Sequence, residues 1–314
     1  LKKQAFATVL GIVLMLFVAG MDYHIWQRLA VFGYLAAVAL SVAVMLFGRE
    51  INGSKRWLAL GPFSFQPSEF AKVALILFLA DLVTKNVKTI GKMWTLCRIM
   101  FWILPIVGLV GASNLSTAII ILGIGVILIF VASPKYAQFA LMGIAGACFM
   151  GIFLALESYR LERLAIWRNP EKYEKGYQTL QGLYAIGSGG VFGVGIGNSV
   201  QKLGFVPEAQ NDMIFSIICE ELGLAGAGII VFLFLLLIWR FFLIASESRD
   251  LFGALIATGA MAHMMIQVIL NIAVVTNTIP NTGITLPFIS YGGTSVMFLL
   301  IEMGLVLSVS QVVD

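Results

Sequence analysis

The sequence predicts an all-α integral membrane protein, from its composition, its long apolar runs and the uneven distribution of its charges. Of 314 residues, 60% are hydrophobic and only 11% are charged, and the mean hydropathy is +0.98. A soluble domain carries about 25% charged residues, so this chain has too few to cover a water-facing surface. A transmembrane β-barrel is excluded because it shows short alternating segments rather than long apolar runs.

Nine apolar segments are candidate transmembrane helices. A helix crosses a bilayer with about 20 apolar residues, within a range of about 17–25, so the shorter segments must extend into flanking polar residues, tilt or break. The chain opens on Leu1 without an initiator Met, and we expect one further helix before it, making ten. The nine segments are 4–21, 29–47, 69–83, 99–111, 116–131, 136–156, 213–239, 251–275 and 296–313.

The connecting loops form two alternating sets that differ in Lys and Arg content, with eight in one set and three in the other. Basic residues concentrate in cytoplasmic loops, so the richer set is cytoplasmic and the long loop 157–212 lies outside. We expect short surface or re-entrant helices in that loop, because a structureless loop of this length is unusual. The richer set is 22–28, 84–98, 132–135 and 240–250, and the poorer set is 48–68, 112–115 and 276–295.

Charge, cysteines and repeats exclude several other classes. The net charge of +4 is accounted for by basic residues near bilayer surfaces and does not indicate nucleic acid. Cys97, Cys148 and Cys219 have neither disulfide-framework nor zinc-site spacing. Without an internal repeat there is no inverted-repeat transporter signature. We therefore predict one polytopic membrane domain over 1–314.

Three acids in "PEAQNDMIFSIICEELGLAG", residues 207–226, interrupt this apolar pattern. In a helix, Asp212, Ser216 and Glu220 would share one face. A charge facing hydrocarbon costs at least about 2.5–3.5 kcal/mol, so the acids should face the protein interior or a wet cavity. Asp212 is either a functional group at the outer mouth or a helix-start acid favoured by the macrodipole. Glu220 and Glu221 are expected to pair internally with Lys or Arg.

A second polar group lies in "NGSKRWLALGPFSFQPSEFAK", residues 52–72. Glu69 and Lys72 are three residues apart and share a helix face, and Ser68 is the expected N-cap. With Lys55 and Arg56 they could bind an anion such as a diphosphate. The alternatives are a local ion pair of little energetic value and cations that extend to the bilayer interface.

Two further segments carry weaker signals. The glycine-rich run "GSGGVFGVGIG", residues 187–197, matches no nucleotide-binding loop, and we expect a close-packed backbone at the membrane face. The segment 277–295 contains Pro280, Pro287 and a glycine pair but no charge. Such a break at membrane depth requires burial in protein or a cavity. For His24 and His263 we expect packing roles.

The motifs taken together resemble the SEDS family, the shape, elongation, division and sporulation proteins. The resemblance runs in order along nearly the whole chain, and the spacing between "GVGIGNS" and "VPEAQND" is closer to its FtsW/SpoVE branch than to RodA. The motifs that carry it are "NGSKRWL", "FQPSEFAK", "GYQTLQGLYAIGSGGVFGVGIGNSVQK", "PEAQNDMIFSIICEELGLAG" and "NTIPNTGITLPFISYGGTS".

The resemblance implies a ten-helix bundle with a large extracytoplasmic loop and a peptidoglycan glycosyltransferase activity. Members polymerise lipid II on the outer face of the bacterial cytoplasmic membrane. They act with a class B penicillin-binding transpeptidase and with other division or sporulation membrane proteins. The family's essential acid corresponds to Asp212, although its usual His-Thr neighbours are here Gln210 and Asn211. The segment 114–118 lacks the acid that the family usually has there.

These correspondences lead to a hypothesis for each site residue. Asp212 is the expected general base, Arg56, Lys72 and Lys55 the diphosphate clamp, and Glu69 the group that orients Lys72. The sequence requires no cofactor and contains no dedicated metal cage, but Mg²⁺ or Mn²⁺ could bind Asp212 or the diphosphate. The expected saccharide path is Gln66, Tyr177, Gln178, Gln181, Ser188 and Ser290.

Two other functions are compatible with the same residues. A lipid II flippase needs polar groups through the whole membrane depth, whereas a polymerase needs them clustered on the outer side. Most of the predicted spans carry no charge, which favours the polymerase. A non-catalytic scaffold for the division machinery is the third interpretation, and the presence of Asp212 argues against it.

Overall fold

The computed structural model describes residues 2–51, 54–60, 63–133, 135–140, 143 and 164–312, and this part of the chain is mainly helical. Seven of its helices are long and apolar enough to cross a membrane. The long helices are α1 (Lys2–Ala19), α2 (His24–Phe47), α3 (Pro67–Asn86), α4 (Met93–Ser113), α5 (Leu115–Ala132), α7 (Ile214–Glu247), α8 (Leu251–Val275) and α9 (Gly293–Ser310), with the shorter α6 (Tyr177–Gly189) before α7.

Eight of the nine predicted spans coincide with these long helices. The remaining span, 136–156, lies mostly outside the described residues. The helix that differs in character is α3, which carries Glu69, Lys72, Asp81 and Lys85 along an otherwise apolar sequence. It is nevertheless buried along most of its length, and three of these charged side chains, Glu69, Lys72 and Asp81, are buried within the protein.

A small antiparallel sheet occupies the region that the sequence analysis treated as the loop 48–68. Strand β2 (Ser54–Leu60) pairs with β1 (Arg49–Ile51) and β3 (Phe63–Phe65). These three short strands are added to a chain that is otherwise helical, and the predicted class of helical membrane protein is confirmed. The two antiparallel strand pairs allow the chain after α2 to pair its own backbone groups, which are costly to leave unpaired near hydrocarbon.

The helical chain forms two compact units, and the first contains residues 1–136, 238–266 and 292–314. Within it α1 packs along α9, and α3 packs against α2 and α5. Close helix approach depends on small residues, as is usual in membranes: Gly11 lies against Leu300, and Gly304 lies against the backbone of Met15. Tyr34 of α2 stacks on Phe78 of α3 at 4.3 Å between ring centroids.

The second unit contains residues 137–237 and 267–291. Its part of the long predicted loop holds α6 and three 3₁₀ turns, Pro170–Lys172, Glu174–Gly176 and Gln201–Leu203. The expectation of short helices there is confirmed for the described residues. Helix α7 is interrupted at Gly223, whose φ of 68° and ψ of −170° are not helical.

Candidate active site

Asp212 lies two residues before the first residue of α7, in a run of turns that follows the long loop. The expected helical face with Ser216 and Glu220 therefore does not include it. A helix-start carboxylate is normally solvated, but only 7% of the Asp212 residue surface is exposed. No ion pair to Asp212 is seen within the part of the chain that the structure describes, and burial of a carboxylate costs free energy, which marks this group as a candidate for chemistry.

Amide side chains hold Asp212 in place. Gln178 Nε2 donates to its Oδ1 at 3.3 Å, and Asn271 Nδ2 donates to its backbone carbonyl at 2.9 Å. The pKa of the Asp212 carboxyl is raised from 3.8 to about 6, mainly because the group is buried. The Glu208 carboxylate also raises this pKa, whereas the backbone N–H of Asp212 and the Gln178 hydrogen bond lower it. A carboxyl group with this pKa can accept a proton at neutral pH and is well matched to general-base catalysis.

The segment before α9 completes the surroundings of Asp212 within the second unit. Asn281 Nδ2 donates to Gln178 Oε1 at 3.2 Å, so one amide orients the other. Gly283 has a φ of +68°, and a side chain there would come within 3.8 Å of Asp212 Oδ2. Asn271 also donates to the carbonyl of Ile284 at 2.7 Å, which ties this segment to α8.

Asn271 and Asn281 are functional candidates that the sequence analysis did not identify. Asn271 is fully buried in an apolar helix, and a polar side chain inside a span is a recognisable signal. Asn281 lies in the quoted 277–295 motif, but no pattern distinguishes it from the neighbouring polar residues. Its contact with Gln178 joins positions 103 residues apart, which sequence spacing cannot predict.

The predicted saccharide-path residues of this unit divide into two groups. Tyr177, Gln178 and Gln181 lie in the first turns of α6, and each is at least partly exposed. Ser188, near the end of α6, is also exposed, and its Oγ donates to Ala185 O. Ser290 is buried and donates to Asn211 O at 2.6 Å, so in the structure it ties two backbone segments together.

The Glu220 and Glu221 side chains bind residues 199–202, which directly follow the glycine-rich run 187–197, rather than a distant helix. Glu221 pairs with Lys202 at 2.5 Å, which supplies the basic partner expected for it. Glu220 instead accepts from the Ser199 hydroxyl and from the backbone N–H of Val200 at 3.1 Å. Among the described residues, a hydroxyl and backbone amides bind the Glu220 carboxylate in the place where a cation was expected.

In the first unit, Glu69 and Lys72 form the contact that their spacing predicts, at 3.1 Å between Oε1 and Nζ. Both side chains are buried, with 8% and 2% exposed, so this is not the surface pair considered from sequence. Helix α3 begins at Pro67 with Gln66 as N-cap residue. The expected Ser68 cap is wrong, because Ser68 is already helical and its Oγ accepts from Gln66 Nε2.

A second buried pair in this unit joins His263 of α8 to Glu302 of α9, at 2.7 Å between Nδ1 and Oε2. His263 was expected only to pack, and Glu302 was not considered. His263 is also near enough to Glu69 for an electrostatic interaction. Acids and bases on α3, α8 and α9 therefore compensate one another inside the first unit.

Arg56 and Lys55 lie next to each other on β2. Arg56 is partly buried and its Nε donates to Ser113 O at 3.0 Å, whereas Lys55 is exposed. Arg56 lines a small pocket with Gln66, Ser68 and Asn114. Among the described residues, no cluster of three or more His, Cys, Asp or Glu side chains could hold a metal ion.

These apolar helices, with acids and cations buried between them, define a multi-pass membrane protein that carries polar sites inside its helical units. A family model described as "Cell cycle protein", FtsW/RodA/SpoVE, matches residues 1–314. The chain belongs to this family, which confirms the resemblance seen in the motifs and places the protein in a bacterial membrane.

Individual relatives agree with the family match. The chain is 39% identical to the stage V sporulation protein E of Bacillus subtilis (strain 168), over 99% of this chain and 86% of that protein. It is 34% identical to a probable peptidoglycan glycosyltransferase FtsW of Trichlorobacter lovleyi, over 99% of this chain and 83% of that protein.

Two solved structures share the fold. One comes from work on the structural coordination of polymerization and crosslinking by a peptidoglycan synthase complex, with a TM-score of 0.85, 29% identity, and coverage of 99% of this chain and 89% of that chain. The other is the rod shape determining protein RodA of Thermus thermophilus, with a TM-score of 0.73, 29% identity, and coverage of 99% and 87%.

Proposed function

We propose that this protein is a peptidoglycan glycosyltransferase that polymerises lipid II into glycan strands on the outer face of the cytoplasmic membrane. The observation that carries the proposal is Asp212, a buried carboxylate whose pKa is raised to about 6 and whose position is held by Gln178 and Asn271. A relative that is 34% identical over 99% of this chain bears the name of this activity, which supports the assignment.

The reaction joins the 4-hydroxyl of one sugar to the anomeric carbon of another and expels a polyprenyl diphosphate. An α-linked donor and a β-linked product require inversion by a single displacement. Asp212 accepts the proton of the attacking hydroxyl, as the base carboxylate does in inverting glycosidases. The diphosphate needs charge compensation rather than a proton, because it is a good leaving group once its charge is neutralised.

The remaining roles follow from residue chemistry. Lys72 and Arg56 bind the diphosphate, with Glu69 orienting Lys72 and Lys55 contributing from the surface. The saccharide chain contacts Gln66, Tyr177, Gln178, Gln181 and Ser188. The partner is a class B penicillin-binding transpeptidase that crosslinks the product, a proposal supported by the likeness to a chain from a peptidoglycan synthase complex.

The activity should depend on pH through Asp212. The base must be unprotonated, so kcat/KM is expected to be constant at neutral pH and to fall about tenfold per pH unit below about 6. The Gln178 hydrogen bond lowers this pKa and the Glu208 charge raises it. Gln178→Leu should therefore move the acidic limb to higher pH, and Glu208→Gln should move it slightly to lower pH. A limb that stays in place in both variants contradicts the assignment of the limb to Asp212.

The proposed function is tested with purified protein in lipid vesicles, lipid II and the partner transpeptidase. Glycan strands should form when the protein is present in the vesicles. Matched reactions with EDTA, Mg²⁺ or Mn²⁺ measure metal dependence. The buried His263–Glu302 pair lies near the middle of α8 and α9, so polar groups are not confined to one end of the helices. The experiment therefore also measures whether the protein moves lipid II between leaflets. Transfer of labelled lipid II between leaflets without polymer would contradict the polymerase proposal.

A further inference from the structure

The segment 189–197, "GGVFGVGIG", contains no polar side chain and presents its largest residues outward. Phe192 is 84% exposed and Ile196 is 81% exposed, with Val191 also exposed beside them. Exposed apolar side chains of this size, clustered on a connecting segment, mark an interaction surface. None of the residues assigned to the reaction lies within this segment.

The segment is bound to the break in α7. Gly223 interrupts the helix, and the backbone groups that lose their helical partners would be costly to leave unpaired at membrane depth. Segment 189–197 provides partners on both sides of the break. The bonds run from Val194 N–H to Glu220 O at 2.9 Å, Gly195 N–H to Glu221 O at 3.0 Å, Leu224 N–H to Gly190 O at 2.9 Å and Ala225 N–H to Val191 O at 3.0 Å.

Glycine is required for this close approach. A Cβ on Gly193 would lie 2.2 Å from the carbonyl oxygen of Glu221, and its φ of +80° disfavours other residues. A Cβ on Gly189 would lie 1.9 Å from the carbonyl oxygen of Cys219. The backbone is therefore held directly against the helix, and the outward direction of Phe192 and Ile196 follows from a constrained conformation.

The polar residues that follow the segment, 199–202, bind α7 on the N-terminal side of the break. Glu220 and Glu221, just before Gly223, bind the Ser199 hydroxyl, the Val200 amide and the Lys202 ammonium. Beyond the break the character of α7 changes to apolar and exposed. Leu224, Ile229 and Phe232 are 72%, 61% and 58% exposed, as expected of a membrane-spanning helix surface in contact with lipid.

We propose that segment 189–197 is inserted into the bilayer, where Phe192 and Ile196 contact the hydrocarbon chains of membrane lipids. The bilayer is the occupant that the observations favour, because the segment is bonded through Gly190 O to the N–H of Leu224, the residue at which the exposed apolar side chains of α7 begin. Internal pairing of several backbone groups is needed in hydrocarbon and is unnecessary in water. Because the segment is bonded to both sides of Gly223, its insertion would hold this break in α7 at a fixed depth in the bilayer.

The test places a nitroxide on single cysteines at positions 192 and 196, with Asn198 as the matched control two residues further along the same loop. Cys97, Cys148 and Cys219 are first replaced by alanine, and each labelled variant must retain the thermal midpoint of the unlabelled parent. The protein is reconstituted alone in phospholipid nanodiscs. Power saturation then compares collision with oxygen, which concentrates in hydrocarbon, and with a water-soluble nickel chelate.

The expected result is that collisions with oxygen exceed those with the nickel chelate several-fold at positions 192 and 196. At position 198, collisions with the nickel chelate should exceed those with oxygen. Nickel collisions at 192 and 196 that equal those at 198 would overturn the proposal, because the segment would then lie in water. Protection from both reagents would also overturn it, since protein would then cover the surface. A lipid carrying a bromine in its acyl chain should quench a fluorophore at 192 more strongly than one at 198.

Discussion

Replacing Asp212 with Asn is expected to reduce lipid II polymerisation by about 10²–10⁴-fold, the usual contribution of a positioned general base. Asn retains the shape of the side chain and an oxygen to accept from Gln178, but it cannot accept the proton of the attacking hydroxyl. Because the carboxylate is buried and its ionisation is disfavoured, removal of the charge should not lower stability. The measurement is strand formation at saturating lipid II, alongside the thermal midpoint.

Glu208→Gln is the matched control for this prediction. It removes the same charge four residues earlier, from an exposed side chain, and should retain a rate near that of the unmutated protein at neutral pH. Full activity in Asp212→Asn would show that another group takes the proton. A lowered midpoint in Asp212→Asn would instead assign the carboxylate a structural role.

Lys72→Ala is expected to destabilise the protein by about 3–5 kcal/mol, because it leaves the Glu69 carboxylate in a buried position without the ammonium at 3.1 Å. This expectation differs from that of a surface clamp, whose loss would leave folding unaffected. The burial of both partners is the reason, since removal of one member of a buried pair leaves an uncompensated charge. The midpoint of thermal unfolding in lipid nanodiscs measures the effect.

The double variant Glu69→Gln/Lys72→Met separates folding from donor binding. Replacing both charges should recover most of the lost stability, while polymerisation stays impaired if Lys72 binds the diphosphate. A charge-assisted hydrogen bond is worth about 1.5–3 kcal/mol, so kcat/KM should fall about 10–100-fold. Lys88→Met, an exposed lysine just beyond the same helix, is the control. A stable double variant with unimpaired kcat/KM would reject the clamp assignment.

The helical fold could be predicted from hydropathy because each membrane span must satisfy its backbone groups within itself. That requirement is local, and the eight described spans accordingly fall where the apolar runs lie. The strands between residues 49 and 65 were not predicted, because a sheet depends on pairing between separate segments and not on a local requirement. Its stabilisation comes from pairing between strands, as in the register of Leu58 with Phe65, and the segment is too short to show a clear alternating pattern.

The candidate site was predictable only in part. Asp212 was singled out as a candidate through its motif, and the Glu69–Lys72 contact was predicted from helical spacing. The amides that hold Asp212 were assigned a substrate role, in the case of Gln178, or were not recognised, as with Asn271 and Asn281. Their partners lie 59 and 103 residues away in sequence, so no local period brings them together.

The sequence by itself determined the class of protein and the family and singled out Asp212 as the candidate acid, because composition, apolar run length and ordered motifs are properties of the chain alone. Only the tertiary structure decided the environments of its charges. It buried Glu69 with Lys72, joined His263 to Glu302, and bound Glu220 and Glu221 to residues 199–202. Burial and partners depend on which distant segments meet, and those contacts determine the cost of a charge and the pKa of Asp212.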